Sequence, residues 1–422
     1  MIATVRKAAR LEGEVSLPGD KSISHRALIL GALAGGTSHL RGLSPGADVK
    51  STAVCLRALG VHADASEVHG SGRNGLRAAD GPLDCGNSGT TMRLLAGVLA
   101  AQDFPSELIG DASLSRRPMD RVVAPLREMG ARADWPPLVV GGSVPLHGIE
   151  HRPTVPSAQV KSALLLAGLF ARGTTAVVEA TPTRNHTELM LAAMGANVSV
   201  EGERVEVKSS HLEPIDIDIP GDVSAASFWI VAGGLVTRSL LRVPGTGINP
   251  TRTAFVDLLR ASGFNIAVTH GRSVAGEPVG DLEVAAAEEL RPVSVSGAMS
   301  AAMIDELPVL AVAATQLPGT SLIGGAAELR VKESDRIAAM ADGLASMGAD
   351  ITAVNDGWVI NGPRHLEGAR VRSHDDHRVA MALAIAGLIA EGVTEIEGAE
   401  CVSISYPAFF DQLTALWRAG RG

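Results

Sequence analysis

The sequence predicts an α/β protein of two pseudo-symmetric domains, each assembled from three copies of one unit. Three observations carry that prediction. An apolar, helix-like run, then a short Gly/Thr/Pro/charge break, then a β-like segment recurs six times: HRALILGALAGGTSHL, TMRLLAGVLAAQDFPSEL, KSALLLAGLFARGTTAVV, ASFWIVAGGLVTRSLL, LPVLAVAATQLPGTSLI and HRVAMALAIAGLIAEGVTEI. An amphipathic helix end closed by glycine alternates with it: LRALGVHA, LREMGARA, LAAMGANVSV, LRASGFNIAV, LASMGADITAV and a looser LTALWRAG. The tripeptide Pro-Gly-Asp stands at 18–20 and again at 220–222, dividing the chain nearly in half, each time just before a hydroxyl and an apolar helix.

Each element has its own reason. The apolar runs lack a polar face, so they read as helices buried on all sides. Glycine after a last helical turn supplies the left-handed cap that residues with a Cβ resist. A unit of strand, buried helix, strand, amphipathic helix and one or two strands accounts for both phrases. Its repeat is longer than the usual solenoid periods. A chain of 422 residues also exceeds one ordinary core.

Composition narrows the function. Aromatic residues make up only 3% of the chain, which argues against stacking of single-stranded nucleic acid. A net charge of −9 and a pI near 5.8 argue against a general phosphate-backbone binder, so anion recognition should be local. Cys55, Cys85 and Cys401 form no CxxC pair, which fits a reducing compartment. The start, MIATVRKAARLEGEV, has no apolar h-region, and the longest apolar run, 379–390, is too short to span a bilayer. A cytoplasmic protein is expected.

Polar residues gather at the starts of the buried helices. A helix N-terminus offers unpaired N–H groups and a positive dipole end, a ready anion site. In GDKSISHR, Lys21 and Ser22 fall in the first turn, and Arg26 lies on the face of Ser22. The spacing is not that of a nucleotide P-loop. GNSGTTMR flanks Asn87 and Ser88 with glycines, and its helix is expected to start near Met92. In SLSRRPMDR, Pro118 suits the first position of a helix and keeps Arg117 extended, its fork aimed outward. VPSAQVKSALLLAGL brings Ser157, Gln159 and Lys161 to another helix mouth, and ELRVKESDRI supplies Lys332, Glu333 and Arg336. SAAMIDELPVL embeds Asp305 and Glu306 in apolar sequence, where they must be paired, exposed or functional. SHDDHRVAM offers His and Asp, yet no metal-ligand spacing supports a metal there. With no nucleophile motif present, the inventory suits small polyanionic substrates handled by acid–base chemistry without a cofactor.

LPGDKSISHRAL, GNSGTTMR, GDASLSRRPMDRV, SAQVKSALLLAGL, AMIDELPVLAVAA, ELRVKESDRI and DHRVAMA, co-linear across practically the whole chain, resemble the 5-enolpyruvylshikimate-3-phosphate synthase family. RPMDRV paired with SAQVKSA is closer to the family's second class than to the enterobacterial type. The resemblance implies an inside-out α/β barrel fold, with three βαβαββ units per domain. The implied domains are 1–18 with 222–422, and 19–221, with the active site in the cleft between them. The implied reaction moves the enolpyruvyl group of phosphoenolpyruvate to the 5-hydroxyl of shikimate 3-phosphate and releases phosphate, with no metal or organic cofactor. A monomer is expected, with no nucleic-acid or membrane partner.

Carried over residue by residue, the resemblance implies that Lys21, Ser22, Arg26, Ser157, Ala158, Gln159, Arg184, Asp305 and Lys332 hold shikimate 3-phosphate. Lys21, Gly89, Arg117, Gln159, Arg336 and Arg378 would bind phosphoenolpyruvate. Asp305, Glu333 and Lys21 would be catalytic, Asp305 taking the 5-hydroxyl proton and Glu333 serving the methylene carbon. Three residues depart from the first class: Ala158 for a serine, Glu328 for an asparagine and Ile404 for a lysine. A UDP-N-acetylglucosamine enolpyruvyl transferase is the rival within the fold. That family has Lys-Asn near its start and a loop cysteine, whereas Ser22 follows Lys21 here and 113–117 holds no cysteine. A non-catalytic anion-binding domain is the other alternative, opposed by the intact acids, lysine and arginines.

Overall fold

Short strands and all-round apolar helices cannot bury themselves in isolation, and the chain solves this by repeating one small open sheet six times. A computed structural model describes residues 1–142 and 145–420. The chain divides into two compact units: Met1–Pro18 with Pro220–Arg272 and Pro278–Gly422, and Gly19–Ile219 with Ser273–Glu277.

In the Gly19–Ile219 unit the middle repeat shows the pattern most plainly. Leu83–Asp84 pairs in parallel with Pro105–Ile109, which pairs antiparallel with Leu138–Gly141, whose other neighbour is Ala133–Asp134. The parallel pair needs a crossover, and the buried Gly89–Leu99 helix supplies it. The amphipathic Asp120–Glu128 helix then leads into the closing hairpin. Glu150–His151, Thr174–Val178, Arg204–Lys208 and Val198–Glu201 repeat that order. In the other unit Ser294–Val295, Gly319–Ile323, Gly357–Gly362 and Asp350–Val354 do the same.

Two units of the repeat are not contiguous in sequence, which local patterning does not predict. The strand before the Lys21–Leu33 helix, Glu12–Glu14, pairs in parallel with Leu240–Gly247. The strand before the Val223–Leu235 helix, Ile217–Asp218, pairs in parallel with Gly35–Arg41. Each Pro-Gly-Asp segment therefore separates a strand from the helix that follows it. The last repeat is completed from the N-terminus, where Ile2–Arg6 runs antiparallel to Val393–Glu397 beside Arg370–Arg372.

Each unit has its own core, one centred on residues such as Leu28, Leu95 and Leu165, the other on Trp229, Leu310 and Leu383. With few aromatic rings, close helix packing does the filling. A Cβ on Gly97 would lie 2.1 Å from the Ala163 carbonyl oxygen, so the Gly89–Leu99 and Ala158–Gly168 helices meet backbone to backbone. Five of the six expected glycine caps are left-handed, at Gly60, Gly130, Gly195, Gly263 and Gly348, with φ from 79° to 95°. Gly420, in the looser sixth copy, is helical at φ −71°. Among the described residues no helix is long and apolar enough to cross a membrane.

Candidate active site

At the mouth of the Lys21–Leu33 helix the cap is Asp20, whose carboxylate accepts from the Ile23 N–H at 2.9 Å. Ser22 is thereby left out of capping, and its hydroxyl lies 3.5 Å from Nη1 of Arg184. Lys21 reaches Asp48 at 3.1 Å and keeps 21% of its side chain exposed. Arg26 is buried and donates to the Ser22 carbonyl at 2.8 Å and to the Thr187 and Ser162 hydroxyls at 2.7 Å each. Burial lowers its pKa to about 10, against the raising effect of Glu188 and Asp20. Burial, then Lys21 and Arg26, hold His25 well below the usual imidazole range. Its Nδ1 opens a buried chain of hydrogen bonds through Thr52 and Thr91 to Ser88, the cap of the next helix.

That next helix begins at Gly89, three residues before the expected Met92, because Ser88 accepts from the Thr91 N–H at 3.1 Å. Arg117 is extended at φ −76°, ψ 140°, as the following proline demands, and its Nη2 donates to Asn87 at 2.6 Å and to Ser113 at 3.3 Å. Pro118 is not the first residue of its helix, which starts at Asp120. Met119 intervenes as the cap. Ser157 caps the Ala158–Gly168 helix, with Ala158 its first residue. Gln159 bridges two helices, accepting from Arg93 at 2.6 Å and donating to Thr90 at 2.8 Å.

Gly89 sets the room available between two of these arginines. A Cβ there would lie 2.8 Å from Nη1 of Arg93, so that fork must shift to admit it, and 3.4 Å from Nη1 of Arg117, in contact with it. Overpacking costs about 1–3 kcal/mol, or about five- to 150-fold in affinity if all of it falls on binding. Gly89→Ala should raise the KM for phosphoenolpyruvate by no more than that range in steady-state assays, with any loss of stability by thermal melting also within about 1–3 kcal/mol.

Lys161, which the sequence brings to the same helix mouth as Ser157 and Gln159, is turned into the unit. It is 1% exposed and held by Glu179 at 2.6 Å and Glu188 at 2.7 Å, so it serves the fold of this unit. Removing one partner of a buried ion group costs about 3–5 kcal/mol. Urea unfolding of Lys161→Ala should show a loss of that size, and an unchanged midpoint would contradict the structural role.

In the other unit a second group of residues centres on Arg336, 1% exposed at the start of the Arg336–Ser346 helix. Its Nε donates to Asp376 at 2.7 Å, its Nη2 to Glu333 at 2.6 Å, and its Nη1 lies 3.5 Å from Asp305. Burial is the largest influence and disfavours the charge, yet Asp376, Glu333 and Asp305 together more than offset it, and the pKa is raised. Lys332 stands 3.9 Å from Asp305 and 3.7 Å from Glu328. The neighbouring acids of SAAMIDELPVL separate in role. Glu306 is 2% exposed beside Ser224 and Arg252, whereas Asp305 keeps 18% of its side chain exposed.

Asp376 caps the His377–Ile389 helix, accepting from the Arg378 N–H at 2.9 Å. Two consecutive non-glycine residues precede it in the left-handed region, His374 at φ 53° and Asp375 at φ 57°. Such conformations cost about 1–2 kcal/mol each and concentrate at functional turns. The turn delivers Arg378 with its Nη1 buried and without a hydrogen-bond partner, which a ligand anion could supply. Ile404, in place of the first-class lysine, packs partly buried against the core.

Sequence reasoning did not single out Arg93, Asp48 or Asp376, which contact Gln159, Lys21 and Arg336. Arg93 had a signal, since it lies one helical turn after Gly89. Asp376 had one as an aspartate before an apolar helix. Asp48 meets Lys21 only through tertiary packing.

Buried helices with charged and hydroxyl side chains at their mouths, on repeated βαβαββ units, describe the enolpyruvyl-transferase fold. The enolpyruvyl transferase NikO from Streptomyces tendae shares that fold with a TM-score of 0.80 at 19% identity, over 98% of this chain and 97% of that one. The model of the EPSP synthase (3-phosphoshikimate 1-carboxyvinyltransferase) family matches residues 5–413, and the chain belongs to that family. The 3-phosphoshikimate 1-carboxyvinyltransferase of Gloeobacter violaceus is 50% identical over 97% of this chain and 98% of its own length. That of Alkalilimnicola ehrlichii is also 50% identical, over 96% of this chain and 94% of its own. An EPSP synthase structure from Acinetobacter baumannii superposes with a TM-score of 0.87 at 40% identity, covering 98% of both chains.

Proposed function

We propose that the chain transfers the enolpyruvyl group of phosphoenolpyruvate to the 5-hydroxyl of shikimate 3-phosphate, by addition and elimination, and releases phosphate. Beside its family membership, the observation that carries this reading is the Arg336 group. The buried Arg336 holds Glu333 and lies 3.5 Å from Asp305, and it shares Asp376 with the backbone N–H of a second arginine, Arg378, whose buried Nη1 has an unmet N–H. A phosphoenolpyruvate anion would complete such a group.

In this reading Lys21, Ser22, Arg26, Arg184, Ser157, Ala158, Gln159 and Lys332 bind shikimate 3-phosphate, and Lys21, Gly89, Arg117, Gln159, Arg336 and Arg378 bind phosphoenolpyruvate. The residues concerned divide between the two units. Asp305 takes the proton from the 5-hydroxyl as its oxygen attacks C2 of phosphoenolpyruvate. Glu333, with Lys21, delivers a proton to the methylene carbon, giving a tetrahedral ketal phosphate. Loss of a proton from the methyl group so formed and departure of phosphate restore the double bond. The arginines stabilise charge on the leaving phosphate. A cytoplasmic monomer belongs to the same reading, and the three free, buried cysteines fit a reducing compartment.

The test runs the reaction in deuterium oxide and follows the methylene protons by NMR. Deuterium should enter the enolpyruvyl methylene during turnover, because the carbon becomes a methyl group in the intermediate. A product with no deuterium would exclude addition–elimination.

A further inference from the structure

The sheet at the start of the Gly19–Ile219 unit carries a cluster that the proposed reaction does not use. Glu67 and His69 lie two residues apart on the Glu67–Ser71 strand, which puts both side chains on one face. His62 stands directly opposite His69 on the neighbouring antiparallel strand. Three of the chain's twelve histidines gather here, since His39 is the cross-strand partner of Glu67 on the other side.

The donor atoms converge. Oε1 of Glu67 lies 2.9 Å from Nε2 of His69 and 3.7 Å from Nε2 of His62, and the two rings are 4.5 Å apart. All three donor atoms fall within 4.8 Å of one another. Ligands bound tetrahedrally at about 2.0–2.1 Å sit about 3.3 Å apart, between the two distances seen. Oε2 of Glu67 faces Nδ1 of His39 at 3.7 Å. The side chains are 53%, 32% and 49% exposed for His62, Glu67 and His69, so a cation can reach them without rearranging the core.

We propose that His62, Glu67 and His69 form a binding site for a divalent transition ion such as Zn²⁺, with water in the fourth position. Two imidazoles and one carboxylate select the zinc, cobalt and nickel group over magnesium or calcium. The ion ties the two-residue edge strand His62–Ala63 to its neighbour, and binding to the folded chain alone stabilises it by mass action.

The test titrates EDTA-treated full-length protein with ZnCl₂ by calorimetry and with Co²⁺ by visible absorption. The wild type should take up one ion per chain, show tetrahedral cobalt bands and melt at a higher temperature with zinc. His62→Ala and His69→Ala should each weaken binding by about tenfold or more, with circular dichroism and enzymatic turnover unchanged. His270→Ala, at an exposed histidine beside a single carboxylate, should bind like wild type. The proposal is overturned if the double variant His62→Ala/His69→Ala binds zinc as tightly as wild type, or if wild-type zinc uptake is lost only with other histidines.

Discussion

Asp305→Asn is expected to lower kcat by about two to four orders of magnitude, the contribution of a positioned general base, with KM for both substrates within a few-fold of wild type. The substitution keeps the side chain's shape and removes its basicity. Its neighbours are not left stranded. Arg336 retains Asp376 at 2.7 Å and Glu333 at 2.6 Å, and Lys332 retains Glu328 at 3.7 Å. Because Asp305 is partly exposed, the unfolding midpoint should barely move. Steady-state kinetics with both substrates varied will check this. A rise in KM that accounts for the whole loss would assign Asp305 to binding instead.

Asp376→Ala should lower stability by about 3–5 kcal/mol in urea denaturation, as much as Lys161→Ala, the cost of breaking a buried ion pair. The Asp376 carboxylate is fully buried and has three partners: the Arg378 N–H at 2.9 Å, the Arg336 guanidinium at 2.7 Å and the Ser334 hydroxyl at 3.1 Å. Its loss removes the cap that sets Arg378 and the strongest anchor of Arg336. The KM for phosphoenolpyruvate should therefore rise in whatever protein folds. Asp376→Asn keeps an oxygen for the helix cap and should lose less of both. Equal stability of Asp376→Ala and wild type would contradict the central place given to this carboxylate.

The buried helices, their glycine caps and the polar residues at their mouths were legible because each is written in a few adjacent residues. Arg117 before Pro118 was aimed by local sterics alone, and the structure has it extended. What escaped depended on distance along the chain. Nothing near Glu12–Glu14 signals a partner at Leu240–Gly247, since strands of two or three residues carry no periodicity. Lys161 looked like Lys21, a lysine near the start of an apolar helix. Only Glu179 and Glu188, brought in by the next strand and helix, turn it inward. Conversely, Asp48 keeps Lys21 at the surface of its unit through a contact 27 residues away in sequence.

The central claim is that these helix mouths serve enolpyruvyl transfer to shikimate 3-phosphate. Its most direct test mixes the purified chain with phosphoenolpyruvate and either shikimate 3-phosphate or UDP-N-acetylglucosamine, and follows phosphate release. Release with shikimate 3-phosphate, matched one-to-one by its enolpyruvyl ether and absent with the UDP-sugar, is the predicted result. Release with the UDP-sugar alone, or with neither acceptor, would contradict it.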